Sequence, residues 1–83
     1  DVKGKGGYLA NNWGVHAPMD AYQTHEILDG WGTGNIFVAN SADDVATEDP
    51  EGVGFGFRPV VGNVLTCDNT VTGAELSTTE RLD

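Results

Sequence analysis

The feature that most constrains this chain is a repeat. Gly34-Asn35-Ile36-Phe37-Val38-Ala39-Asn40 has an upstream counterpart in Gly6-Gly7-Tyr8-Leu9-Ala10-Asn11-Asn12 and a downstream one in Gly62-Asn63-Val64-Leu65-Thr66-Cys67-Asp68-Asn69. Gly6, Gly34 and Gly62 are spaced by 28 residues, as are Asn12 and Asn40, whereas Asn69 follows Asn40 by 29, which marks one inserted residue. A fixed period of about 20–50 residues is the signature of a chain that stacks one small unit on the next. An offset of 28 aligns the columns Tyr8/Ile36/Val64 and Leu9/Phe37/Leu65, and it places Asp20 over Glu48, His25 over Val53 and Ile27 over Phe55. Successive residues of a strand face opposite sides. Both adjacent columns are apolar, so one faces a core and the other is not an ordinary solvent face; periodicity does not say which points inward.

The repeat predicts an all-β fold, a parallel β-helix (solenoid) of about three 28-residue coils near 6–33, 34–61 and 62–83, forming a single module over 1–83. The recurring Asn12, Asn40 and Asn69 are expected to form a structural ladder at one corner, since stacked amides hydrogen-bond to one another and Asn tolerates the left-handed conformation of a sharp bend. A small antiparallel sandwich is the alternative, but hairpins have no reason to repeat columns. Strands are expected over 8–11, 24–28, 36–39, 53–57 and 64–67, with a short extension at 70–72. A single helical turn fits 19–22, a tight turn fits the Gly-rich 29–34, and 43–52 reads as an acidic loop broken by Pro50. The polar stretch 75–83 is expected to fray.

Thirteen acidic residues against four Lys plus Arg give a net charge of −9. That excludes nucleic acid as a natural partner, because binding it needs clustered positive charge, and it disfavours an anionic membrane surface. No apolar run approaches the roughly 20 residues of a membrane span. The chain opens at Asp1 without Met or a leader, and is expected to be a processed product or a piece of a longer one. Cys67 is the single cysteine; stacked under Asn11 and Ala39, it is expected to be a buried small hydrophobe.

Several stretches carry a resemblance. Asp1-Val2-Lys3-Gly4, Gly7-Tyr8-Leu9, Leu28-Asp29-Gly30-Trp31-Gly32-Thr33-Gly34-Asn35, Gly54-Phe55-Gly56-Phe57 and Cys67-Asp68-Asn69-Thr70-Val71-Thr72-Gly73-Ala74 resemble the C-terminal coils of secreted, right-handed, pectate-lyase-like parallel β-helix proteins. The resemblance implies an extracellular protein that acts on or near acidic polysaccharide. The lyase reaction of that family, β-elimination, needs a base and a cation, often calcium, to neutralise the substrate carboxylate. Of Lys3, Lys5, Arg58 and Arg81, the resemblance nominates Lys3 as the catalytic base, with Arg58 second; the bland reading is a solvated lysine and a surface ion pair.

Asp43, Asp44, Glu48, Asp49 and Glu51 share one loop, and the repeat adds Asp20. Such a set is a candidate calcium site, although its spacing matches no established calcium loop and a solvated acidic loop is the plainer reading. His16 and His25 lack partners at zinc-ligand spacing. Ser41 and Ser77 have no nucleophile-elbow context, and the glycines of 30–34 are not followed by the Lys of a phosphate loop. Trp13, Tyr22 and Trp31 are either a sugar-stacking platform or packing under turns.

Two functions follow. The first is a structural, self-assembling module: open strand edges at both ends invite stacking end to end into a filament, or onto further coils. The second is a lyase-like or carbohydrate-binding fragment that acts on acidic polysaccharide with calcium. The repeat favours the first, since three repeats of 28 account for nearly all 83 residues.

Overall fold

The computed structural model describes residues 1–26, 28–58 and 62–78. Its elements are all strands: β1 (Tyr8–Ala10), β2 (Trp13–Val15), β3 (Tyr22–His25), β4 (Ile36–Val38), β5 (Ser41–Asp43), β6 (Phe55–Arg58), β7 (Val64–Leu65) and β8 (Thr70–Val71). They form three sheets, ordered β1-β4-β7, β2-β5-β8 and β3-β6, and every pairing is parallel. The chain visits the first, second and third sheets in turn and then returns to the first. Parallel pairing between successive passes excludes the antiparallel sandwich. Among the described residues there is no helix, and Tyr22 opens β3 instead of closing a helical turn.

Register follows the sequence repeat in two sheets. Tyr8 pairs with Ile36 and Ile36 with Val64; Leu9 pairs with Phe37 and Phe37 with Leu65. Leu9, Phe37 and Leu65 point inward, Phe37 and Leu65 being fully buried, while Tyr8 is 69% exposed on the outer side. The core is Phe37, Phe55, Phe57 and Leu65, with Val2, Leu9, Tyr22, Val71 and Leu76 against it. Phe37 meets Phe55 edge-on at 5.8 Å, and Tyr22 stacks on Phe55 at 4.8 Å, both favourable ring geometries.

Corners recur every five residues. Gly6, Gly34 and Gly62 hold φ near +70°, and five residues on Asn11 and Ala39 hold φ 58° and 52°. Five further, His16 and Asp44 hold φ 58°, and Gly73 takes their place in the last pass at φ 93°. Each of these bends therefore rests on a left-handed residue beside a short strand. The last pass builds its second corner differently: the inserted residue closes a turn over 66–69, with Asn69 N–H donating to Thr66 O at 3.3 Å. This turn pushes Cys67 outward, so the cysteine is exposed and not buried as expected.

The asparagine ladder is present. Asn40 and Asn69 are buried. Asn40 Oδ1 accepts from Asn12 N and Nδ2 at 3.0 and 2.9 Å, and Asn69 Oδ1 accepts from Asn40 N and Nδ2 at 2.9 and 3.2 Å. A second ladder, not expected, runs beside it: Asn35 Oδ1 accepts from Gly7 N–H, and Asn63 Oδ1 accepts from Asn35 N–H.

The third sheet breaks the 28-residue register. Tyr22 pairs with Phe55 and His25 with Arg58, an offset of 33. Six residues separate Val15 from Tyr22, but eleven separate Asp43 from Phe55; ten separate His25 from Ile36, but five separate Arg58 from Val64. Five residues gained in one loop are lost in the next, so the period survives while the third sheet slips. Asp20 therefore does not lie over Glu48, nor His25 over Val53; Ile27 lies outside the described residues. The stretch 75–78 is docked where fraying was expected: Gly54 and Phe55 N–H donate to Glu75 and Leu76 O at 2.9 Å, and Phe55 bridges to Ser77. Residues 79–83 lie outside the described part.

Two stability changes follow. Asn40→Ala removes the partner of Asn12 N–H and Leu9 O on the preceding pass and of the buried Asn69 side chain on the next, and should cost about 2–4 kcal/mol in urea unfolding, whereas Asn12→Ala, at an exposed position, should cost about 1 kcal/mol or less. Ala39→Gly relieves a left-handed alanine and should raise stability by up to about 1 kcal/mol; an unchanged or lower urea midpoint would contradict the corner geometry.

Candidate functional site

The outer face of the third sheet gathers most of the chain's described cationic side chains. In this sheet Thr24 and Phe57 are fully buried, so their neighbours His25 and Arg58 point outward. Val2 bridges to Thr24, its N–H donating to Gln23 O at 2.7 Å and its carbonyl accepting from His25 N–H at 3.1 Å. One residue on, Lys3 falls beside His25, and His25 pairs with Arg58. Lys3, His25 and Arg58 thus form one column across successive strands, spaced by about 4.8 Å per step. Their side chains are 56%, 39% and 43% exposed. Two of the four Lys and Arg residues of a −9 chain stand here with one of its two histidines.

Two carboxylates flank the column. Both oxygens of Asp1 lie 3.0 Å from His25 Nδ1, and Lys3 Nζ lies 3.8 Å from Asp1 Oδ2. The Asp20 side chain is fully buried. Its Oδ1 accepts from Val53 N–H at 2.8 Å, and its Oδ2 accepts from Gln23 Nε2 at 2.9 Å and Arg58 Nη1 at 2.8 Å. Gly56 makes the seat for this pair: a Cβ there would lie 2.0 Å from Asp20 Oδ2 and 2.7 Å from Arg58 Nη1. Burial by itself pushes the Asp20 carboxyl up, but the Val53 N–H, Arg58 and Gln23 together outweigh it and hold the group below its ordinary value.

The candidate calcium residues are not brought together. Asp43 accepts from Trp13 Nε1 at 2.9 Å, Asp44 pairs with His16 Nδ1 at 2.6 Å, and Asp49 accepts from Glu51 N–H at 2.9 Å. Among the described residues no group of three or more His, Cys, Asp or Glu forms a possible metal site. Asp20, expected beside them, is committed to Arg58. The three aromatic candidates also separate. Tyr22 is inside, its hydroxyl donating to Ser41 O at 2.7 Å. Trp13 stands 69% exposed, and Lys5 Nζ lies 5.5 Å over the ring of Trp31, a cation–π distance.

The sequence reading leaves Lys3 and Arg58 as unconnected candidates, Lys3 with the acid of Asp1-Val2-Lys3 beside it, and does not join His25, Asp20 or Gln23 to them. The signal was hidden by spacing. Lys3 to His25 is 22 residues and His25 to Arg58 is 33, and neither matches the 28-residue period. Comparison with protein-family models, with curated proteins and with solved structures finds no match to this chain, so its function is argued from this geometry.

The flank gives a pH prediction. A carboxyl lowered by folding adds stability that is complete above its unfolded value, 3.8, and is lost as pH falls through the lower folded value. Asp20→Asn should therefore unfold more easily than the parent at pH 7, with the gap closing as pH falls below 3.8. A gap independent of pH in urea titrations would mean that the Asp20 charge contributes nothing.

Proposed function

We propose that the chain is a parallel β-helix module of about three coils, and that the outer face of its third sheet recognises acidic polysaccharide outside the cell. The observation that carries the reading is the Lys3/His25/Arg58 column. A sheet holds its side chains rigidly at a fixed spacing, so a carboxylated sugar chain lying across the strands meets a donor at each step at little cost in side-chain ordering. The surrounding −9 charge repels polyanions in general and leaves this face as the favourable approach. The resemblance to pectate-lyase-like proteins points to the same ligand class, with Lys3 and Arg58 as the groups available for proton abstraction and carboxylate binding in a β-elimination.

Titration with oligogalacturonate tests this. The parent should bind with an affinity that falls as salt rises. Lys3→Ala and Arg58→Ala should each weaken binding by about tenfold, the order expected for one lost charge-assisted hydrogen bond, while Lys5→Ala, off the column, should have little effect. Equal binding by all four proteins would overturn the reading; unsaturated products accumulating with the parent and not with Lys3→Ala would extend it to lyase chemistry.

A second reading has its own observation. β1 and β7 each have one partner in the first sheet, and β2 and β8 each have one in the second, so among the described residues both ends present unpaired parallel edges. The Asn12 side chain stands at one such end, donating to Asn40. Open edges of this kind support stacking, end to end with other copies or onto further coils. In electron micrographs at rising concentration, stacked copies would appear as fibres with an axial repeat near 14 Å, three coils of about 4.8 Å. Compact particles at all concentrations would remove self-assembly and leave the ligand-binding face untouched.

A further inference from the structure

We infer that Asp20 is a positioning residue: it holds Arg58 in the orientation in which that guanidinium meets an anionic ligand. The inference rests on the acidic-polysaccharide reading above. Arg58 stands at the end of β6, and a side chain as long as arginine would otherwise sample many rotamers over the sheet. Here one nitrogen of its fork, Nη1, is tied to Asp20 Oδ2 at 2.8 Å. Asp20 itself has no freedom: its side chain is fully buried, Val53 N–H and Gln23 Nε2 hold it, and the missing side chain of Gly56 gives it its place on the sheet surface. The rest of the guanidinium stays accessible, with Arg58 43% exposed. Among the described residues Asp20 is the one carboxylate paired with Arg58. A planar fork anchored by one donor and open at the others is prepared for a second carboxylate in a fixed plane.

Simple electrostatics makes the opposite prediction, which gives the test its force. If Asp20 merely neutralised Arg58, removing its charge would strengthen binding of an anionic sugar. If it positions Arg58, removal weakens binding. The experiment is a double-mutant cycle on the whole chain with Asp20→Asn, Arg58→Ala and the double variant, each titrated with hexagalacturonate. Asp20→Asn should weaken binding by about tenfold in the parent and have almost no effect in the Arg58→Ala background, because the two act as one unit. Unchanged or tighter binding by Asp20→Asn, or equal losses in both backgrounds, would overturn the inference.

A measurement on the unaltered protein covers the case in which Asp20→Asn does not fold. The Arg58 Nη1 protons should be resolved from the other guanidinium protons, slowed in solvent exchange by the bond to Asp20 Oδ2, and shifted on adding hexagalacturonate. A resonance averaged like that of free arginine would overturn the inference even if the sugar binds. A resolved resonance with no shift and no sugar binding would keep the Asp20–Arg58 tether but overturn the ligand reading, and with it the positioning role.

Discussion

Everything in this structure depends on the way a parallel stack satisfies its corners. Parallel strands hydrogen-bond to the pass above and the pass below, but at a sharp bend the backbone turns away and its N–H and C=O groups lose those partners. Asn40 supplies them from one buried side chain. Its Oδ1 accepts from Asn12 N–H and Nδ2, and its Nδ2 donates to Leu9 O and to Asn69 Oδ1. A small amide with both a donor and an acceptor can serve three passes at once; a hydrophobic residue in its place would leave polar groups buried without partners. Left-handed residues five apart set the bend, and the amides make it affordable.

The corners in turn fix what each face can carry. With strands of two to four residues, each pass offers few inward positions, and the core cluster is correspondingly small: Phe37, Phe55, Phe57 and Leu65 with the partly buried side chains packed on them. A domain of this size is marginal, so much of its order must come from the repeated ladders of backbone and amide hydrogen bonds. The outward positions are freed from packing duty. On the third sheet they are used for charge, with Lys3, His25 and Arg58 in line and Asp1 and Asp20 beside them.

The two neighbouring faces differ in how their side chains are engaged. On the second sheet Trp13 reaches Asp43 and His16 reaches Asp44, each across to the next pass, so the acidic residues are taken up one at a time by local partners. On the third sheet a buried carboxylate and an exposed guanidinium share a glycine seat. The contrast separates the acidic loop, the most conspicuous charge feature of the sequence, from the cationic column of the third sheet.

The sequence by itself determined the period, the columns Leu9/Phe37/Leu65 and Tyr8/Ile36/Val64, and the Asn12/Asn40/Asn69 ladder, because in these two sheets the loops between equivalent residues keep their length to within one residue. Lys3 and Arg58 enter at that level only as the candidate bases that the resemblance nominates, with nothing to join them. Only the tertiary structure decided which apolar column faces inward, since both are apolar and alternation alone is symmetric. It also decided that Asp20 belongs to Arg58 and not to Glu48, and that His25 stands between Lys3 and Arg58. The reason is physical: a five-residue gain in one loop and an equal loss in the next leave the sequence period intact while shifting the strand between them, and hydrogen-bond register in a parallel sheet is set by the strand's own pairing, not by the count of residues around the turn.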